Sequence, residues 1–203
     1  MATTNSPDGF SSGSIPGQLR SHLSRTRQDD RSIVVMTCGI AGAGKSTLAK
    51  AVVTQLPSFK RLSNDQIIYE SYGLYNIDYP AELYKVYQEE ASQKLIAELE
   101  RILEEKSNDV VLDLSFYDKE YRDEYKHIVE RNGGRWVLVY LDADRDLLWK
   151  RIQQRRAERD ELDAKDPGRN GDSAFDIDDE TFAMYLGGFE PPSGEGEIVI
   201  KVE

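Results

Sequence analysis

The chain has 203 residues, long for one domain and short for two. It carries 26 Lys and Arg against 37 Asp and Glu, a net charge of −11, and its 39% of hydrophobic residues suffice for a packed core. No run approaches the ~18 apolar residues of a membrane helix, so no spanning segment is expected, and one Cys with two His excludes a disulfide framework and argues against a dedicated zinc site.

The charge is unevenly spread. Residues 1–31 hold four Arg and three Asp, whereas residues 157–203 hold four basic and 14 acidic residues. No basic stripe of the kind that neutralises a phosphate backbone is visible, so a nucleic-acid partner is not expected.

Residues 1–31 are rich in Ser, Gly, Thr and Arg and poor in large apolar residues, which predicts a disordered N-terminal tail. The segment has no apolar h-region, so it does not read as a secretory signal, and a cytoplasmic location is expected. Residues 32–38 (SIVVMTC) are a short β-forming apolar run and predict a buried strand. A Gly-rich turn and a helix up to Pro57 follow. Strands are expected at 59–63, 110–114, 136–141 and 197–202. Helices are expected at 66–72, 81–106, 119–131, 145–161 and 178–186. The long helix presents Leu83, Val86, Leu95, Leu99, Ile102 and Leu103 on one face. Residues 162–173 are polar, with Pro and Gly, and read as a loop, giving a lid over about 157–175. Strands alternating with helices specify an α/β domain over 32–203, its parallel sheet covered on both faces.

Residues 39–46 read G-I-A-G-A-G-K-S, which satisfies G-x-x-x-x-G-K-[ST], between a buried strand and a helix as the motif requires. Gly39, Gly42 and Gly44 permit close wrapping of the backbone. The N–H groups of this turn, Ala41 and Ala43 included, form an anion nest at a helix N-terminus. Lys45 would reach the β- and γ-phosphates of a nucleotide, the Ser46 hydroxyl would bind magnesium, and Thr47 would add a hydroxyl to the α-phosphate. Cys38, at the end of the strand, reads as core.

Ligands in such sheets bind at the carboxyl ends of the strands. Two strands end there in an Asp: Asp65 follows L-S-N, and Asp113 follows V-V-L. Asp113 fits an apolar strand closed by a magnesium-holding acid and also abuts the substrate site. Asp65 is the candidate base for a hydroxyl acceptor; each could instead cap a helix. Arg151 and Arg155 lie at i and i+4 on the helix that leads into the lid, placed to stabilise a transferring phosphoryl group. Arg122 is a candidate ligand of substrate or phosphate. Tyr69, Tyr72, Tyr75, Tyr79, Tyr84 and Tyr87 follow Asp65, and such a stretch suits an acceptor pocket, although helix packing accounts better for Tyr84 and Tyr87. His127, amid charged residues, reads as exposed.

The set GIAGAGKST, LSNDQ, VVLDLSFYDKEYRDEY and LWKRIQQR resembles small P-loop kinases of the AAA-domain type, grouped with zeta toxin, chloramphenicol phosphotransferase and the polynucleotide 5′-hydroxyl kinase domain. The closing FEPPSGEGEIVI is similar to a subset of that group. The resemblance implies a P-loop NTPase three-layer sandwich with a five-stranded parallel sheet of order 2-3-1-4-5 and a helical lid. It implies ATP and Mg²⁺ at Lys45 and Ser46, Asp65 as base, Arg122 near substrate, and Arg151 and Arg155 as lid arginines. Phe189 to Pro192 would border the nucleotide or acceptor. The expected activity is transfer of the γ-phosphoryl group of ATP to a hydroxyl of a small molecule. The alternatives are an ATP-dependent switch with a protein partner and a nucleic-acid 5′-hydroxyl kinase, the latter disfavoured by the acidic C-terminal quarter.

Overall fold

The computed structural model describes residues 13–161, 171 and 177–203. A single turn of helix, α1 (Gly17–Arg20), precedes the sheet. Strand β1 (Ile33–Cys38) leads to helix α2 (Lys45–Gln55), β2 (Phe59–Leu62) to α3 (Asn64–Tyr72), and a 3-10 turn (Ala81–Leu83) opens α4 (Tyr84–Glu105). Then come β3 (Asp109–Leu112), α5 (Lys119–Arg131), β4 (Arg135–Ala143), α6 (Arg145–Asp160), α7 (Asp179–Gly188) and β5 (Ile198–Val202). The five strands are all parallel, in the order β2-β3-β1-β4-β5.

Strand β1 is central and every residue of it is buried. Its side chains alternate between two cores, as the period of a strand demands. Ile33 and Val35 join the layer of α2, α6 and α7, with Leu48, Val52, Leu148, Ile152 and Phe182. Val34, Met36 and Cys38 join the layer of α4 and α5, with Leu95, Leu99, Tyr125 and Val129. Burial on both faces is why β1 reads as a nearly continuous apolar run.

Two expectations are corrected here. Within residues 13–31 the N-terminal segment is not a disordered tail. Ile15, Leu19 and Leu23 are buried in the first core. Arg25 pairs with Asp109 at 2.8 Å, and the Arg135 guanidinium donates to the carbonyls of His22 and Ser24. Residues 1–12 lie outside the described residues, as do 162–170 and 172–176, which hold most of the lid expected over about 157–175. Leu83 and Val86 do not join the buried face of α4: they are 39% and 49% exposed. The core-facing stripe begins at Ala91, while the start of α4 meets a separate aromatic cluster with α3. No described helix is long and apolar enough to cross a membrane.

Candidate nucleotide and acceptor cleft

A cleft of about 1170 Å³ opens at the carboxyl ends of β1, β2 and β3. Its floor is the turn between β1 and α2. Gly42 and Gly44 there adopt φ of 89° and 99°, in the left-handed region where a side chain is strained. A Cβ on Gly42 would also stand 2.8 Å from the carbonyl oxygen of Leu148. The turn is thus packed against α6 and can form only with glycine at this position. Gly44 caps α2, so the first N–H groups of that helix, which have no intrahelical partner, face the cleft.

Lys45 crosses back over the turn. Its Nζ donates to the carbonyls of Gly39 at 2.8 Å and Ile40 at 3.1 Å. Loss of water around the ammonium lowers its pKa, and the nearby Asp113 carboxylate opposes that shift. Gly39, Ala41, Gly42, Gly44, Ser46 and Thr47 line the cleft with it. Ala43 does not. It is buried in the core and its N–H donates to Ile40 O at 3.1 Å, so the expectation that it contacts nucleotide is corrected.

Asp65 lies in the first turn of α3, exposed on the cleft wall. Ser63 occupies the N-cap, so capping does not explain Asp65. Its charge adds to burial in raising the phenol pKa values of Tyr79, Tyr84 and Tyr185, and it also acts on Lys45. Asp65 therefore sits between the phosphate-binding floor and a wall of tyrosines. Tyr69, Tyr75, Tyr79 and Tyr84 all line that wall, so Tyr84 belongs to the cleft as well as to the packing of α4. Tyr72 and Tyr87 stack at 3.7 Å behind it.

Asp113 lines the cleft beside Leu114 and Ser115. Asp118, not Asp113, caps α5, accepting from Tyr121 N at 2.7 Å. Sequence reasoning missed the partner of Asp113. The guanidinium of Arg61, on β2, donates to Asp113 Oδ2 at 2.6 and 2.9 Å. Strands β2 and β3 pair directly, which brings an Arg of modest appearance against the acid. The available metal donors are thus the Ser46 hydroxyl and a carboxylate already in an ion pair. Among the described residues no group of three or more His, Cys, Asp or Glu could hold a metal by itself.

The arginines sort differently from expectation. Arg155 lines the cleft near enough to Lys45 to act on its ammonium, and Arg156 and Arg159 line it too. Arg151 does not line it: its Nη2 donates to the Glu203 carbonyl at 3.0 Å. Arg151 and Arg155 lie one turn apart on α6, and the arginines that border the cleft are those nearer its C-terminal end. Arg122 is also corrected. It is fully buried and paired with Glu195 at 2.6 Å, with Lys126 on the same carboxylate at 2.7 Å. Its Nη1 donates to the carbonyls of Phe116 at 3.1 Å and Glu190 at 2.8 Å. Phe116 holds a positive φ of 47°, a strained position for a bulky residue. Arg122 therefore fixes the loop after β3, which carries Ser115 and Tyr117 into the cleft, rather than touching substrate. The same contacts hold the segment after α7, where Phe189 lines the cleft and packs on Tyr140 at 5.8 Å. Cys38 is buried and its thiol is pushed up to about 11 by burial, consistent with a core role. His127 is exposed.

The model of the AAA domain family matches residues 34–192, most of the chain. The chain belongs to the AAA-domain family. It is a P-loop, kinase-like member, and its sheet order is the one the family resemblance implies. This AAA-domain protein matches no curated protein. Solved structures share its fold. A Chloroflexus aurantiacus protein described as a candidate kinase aligns at a TM-score of 0.61 and 19% identity, over 84% of this chain and 87% of that one. A chain of the Pnkp1/Rnl/Hen1 RNA repair complex aligns at 0.59 and 15%, over 78% of this chain but only 44% of that one. Chaetomium thermophilum Kti12, solved in complex with ADP-AlF3, aligns at 0.56 and 12%, over 83% of this chain and 88% of that one.

Proposed function

We propose that this AAA-domain protein is a Mg-ATP-dependent phosphotransferase acting on a hydroxyl of a small molecule. The observation that carries the reading is the position of Asp65, an exposed carboxylate on the wall of one cleft whose floor is the Lys45 turn. A nucleotide switch needs the floor and no carboxylate beside an acceptor space.

The turn and the N-terminus of α2 would hold the phosphates of ATP, and the adjoining Lys45 ammonium would bridge the β- and γ-groups. Arg155 would neutralise charge on the transferring group, with Arg156 and Arg159 closing over it. The donor set suits a Mg²⁺ carried largely by substrate phosphates and water, with Ser46 and Asp113 as protein donors. When bound, that ion would offset negative charge on the phosphates. Asp65 would orient the acceptor hydroxyl and accept its proton. The acidic C-terminal quarter, 14 acidic against four basic residues over 157–203, favours a small acceptor over a polynucleotide.

The test is ADP formation from Mg-ATP with pooled metabolite alcohols, in wild type and Asp65→Asn. The expected result is acceptor-stimulated ADP formation that falls by about 10²- to 10⁴-fold in the variant while nucleotide affinity is retained. Equal turnover in both proteins would remove Asp65 from the mechanism. ATP binding with no acceptor stimulation would favour the switch, the activity to seek then being one altered by a protein partner.

A further inference from the structure

Helices α3 and α4 form one wall of the cleft, and each turns one face to it. On α3 the lining residues are Asn64, Asp65, Ile68 and Tyr69; on α4 they are Gln88, Glu89, Ser92 and Gln93. Each set is spaced i, i+1, i+4, i+5, which keeps its members on one side of a helix. The apolar stripe of α4, through Ala91, Leu95, Leu99 and Ile102, is buried separately in the fold.

The two helices are tied together at this level. Asn64 Nδ2 donates to Ser92 Oγ at 2.9 Å, and Tyr72 stacks on Tyr87 at 3.7 Å. Asn64 adjoins Asp65 in the chain, and Gln88, Glu89 and Gln93 lie within one turn of Ser92, about 6 Å along the axis. The polar groups of α4 thus stand at the height of the Asp65 carboxylate. One turn before Gln88 comes Tyr84, which meets Tyr75 edge-on at 5.7 Å, and Tyr75 meets Tyr79 edge-on at 6.1 Å.

The groups on the α4 face differ in kind. The Gln88 and Gln93 amides both donate and accept, as does the Ser92 hydroxyl, whereas the Glu89 carboxylate accepts. Gln88, Glu89 and Gln93 are exposed to the cleft. An acceptor with a single hydroxyl would displace water from these groups without replacing its hydrogen bonds, at a cost in affinity. A ligand with hydroxyls along its frame replaces them, since each hydroxyl gives one hydrogen bond and takes others.

Resting on the phosphotransferase reading, we propose that the acceptor is a polyol, a sugar, alditol or cyclitol, with its non-reacting hydroxyls read by Gln88, Glu89 and Gln93. Its C–H surface rests against the tyrosine rings, which join an apolar body to a polar tip. The reacting hydroxyl oxygen forms a bond to the γ-phosphorus as the bond from that phosphorus to the β,γ-bridging oxygen breaks. The hydroxyl proton passes to Asp65 and then to solvent. The products are a polyol phosphate monoester and ADP.

The experiment uses the full chain with Mg-ATP and a panel of aldoses, alditols and inositols, their monodeoxy analogues, nucleosides and 1-propanol. The best polyol is expected to exceed 1-propanol by at least about 100-fold in kcat/KM, and loss of one non-reacting hydroxyl to cost about tenfold. In Gln88→Leu or Gln93→Leu the KM for the polyol should rise about three- to tenfold with the KM for ATP retained. The penalty for the deoxy analogue that lacks the hydroxyl read by that amide should then shrink to about threefold or less. Equal turnover of 1-propanol and polyols, a preference for nucleosides, or deoxy penalties unchanged in both variants would overturn the polyol assignment and leave the phosphotransferase reading standing. Nucleotide binding without phosphorylation of any alcohol would overturn both.

Discussion

The Arg61–Asp113 pair is the least expected feature at the scale of single residues. The side chains are 11% and 3% exposed, so neither charge has water in place of the other. Removing one partner of a buried pair strands the other charge. Arg61→Ala is therefore expected to lower stability by about 3–5 kcal/mol in urea denaturation, with part of the loss restored in Arg61→Ala/Asp113→Asn. An unchanged midpoint would show that Asp113 does not need its arginine. Glu195 offers a titration test. Arg122 and Lys126 hold its carboxyl at about 2, against an ordinary value of 4.5. The folded pKa is depressed, so the unfolded chain takes up the proton first as pH falls. The stabilisation is present above pH 4.5 and is lost progressively as pH drops towards 2. Glu195→Gln should be less stable than wild type near neutrality, and the gap should narrow across that acidic window. A constant gap would mean that Glu195 stabilises by packing rather than by charge. Neither pairing was legible in the sequence, because Arg122 and Glu195 lie 73 positions apart and Arg61 and Asp113 lie 52 apart.

Regular elements were far more readable, since their signal is local. Apolar β-forming runs located β1, β3 and β4, short strands were expected where β2 and β5 form, and the turn motif located the phosphate-binding floor. What failed was the weak periodicity of short segments. Ile15, Leu19 and Leu23 recur every four residues, a helical spacing diluted by Ser, Gly and Arg. Only α1 forms there, yet all three residues are buried beneath the sheet. Leu19→Ala is expected to cost about 2–5 kcal/mol, a value for a filled core site and not for a tail. A change below about 0.5 kcal/mol would return residues 13–31 to the periphery. On α6 the arginine repeat identified the right helix but not the right turn. Arg151 faces the C-terminus of the chain, and Arg155, Arg156 and Arg159 face the cleft.

At the scale of the molecule, the strand order determines what the cleft can do. With β1 central, the phosphate-binding turn lies between the tyrosine wall next to β2 and the arginine helix after β4. Lys45 and Asp65 thus line one cleft, and on the proposed reading donor and acceptor would meet over Lys45 with Asp65 on the acceptor side. The loop after β3 and the segment after α7 border the same space, and Arg122 ties them together from inside the fold. The measurement that tests this account most directly is phosphorus NMR of Mg-ATP turnover in the presence of alcohols. It follows the γ-phosphoryl group to its destination. The account predicts a phosphate monoester resonance that grows in step with ADP; inorganic phosphate as the sole product, whatever alcohol is supplied, would contradict it.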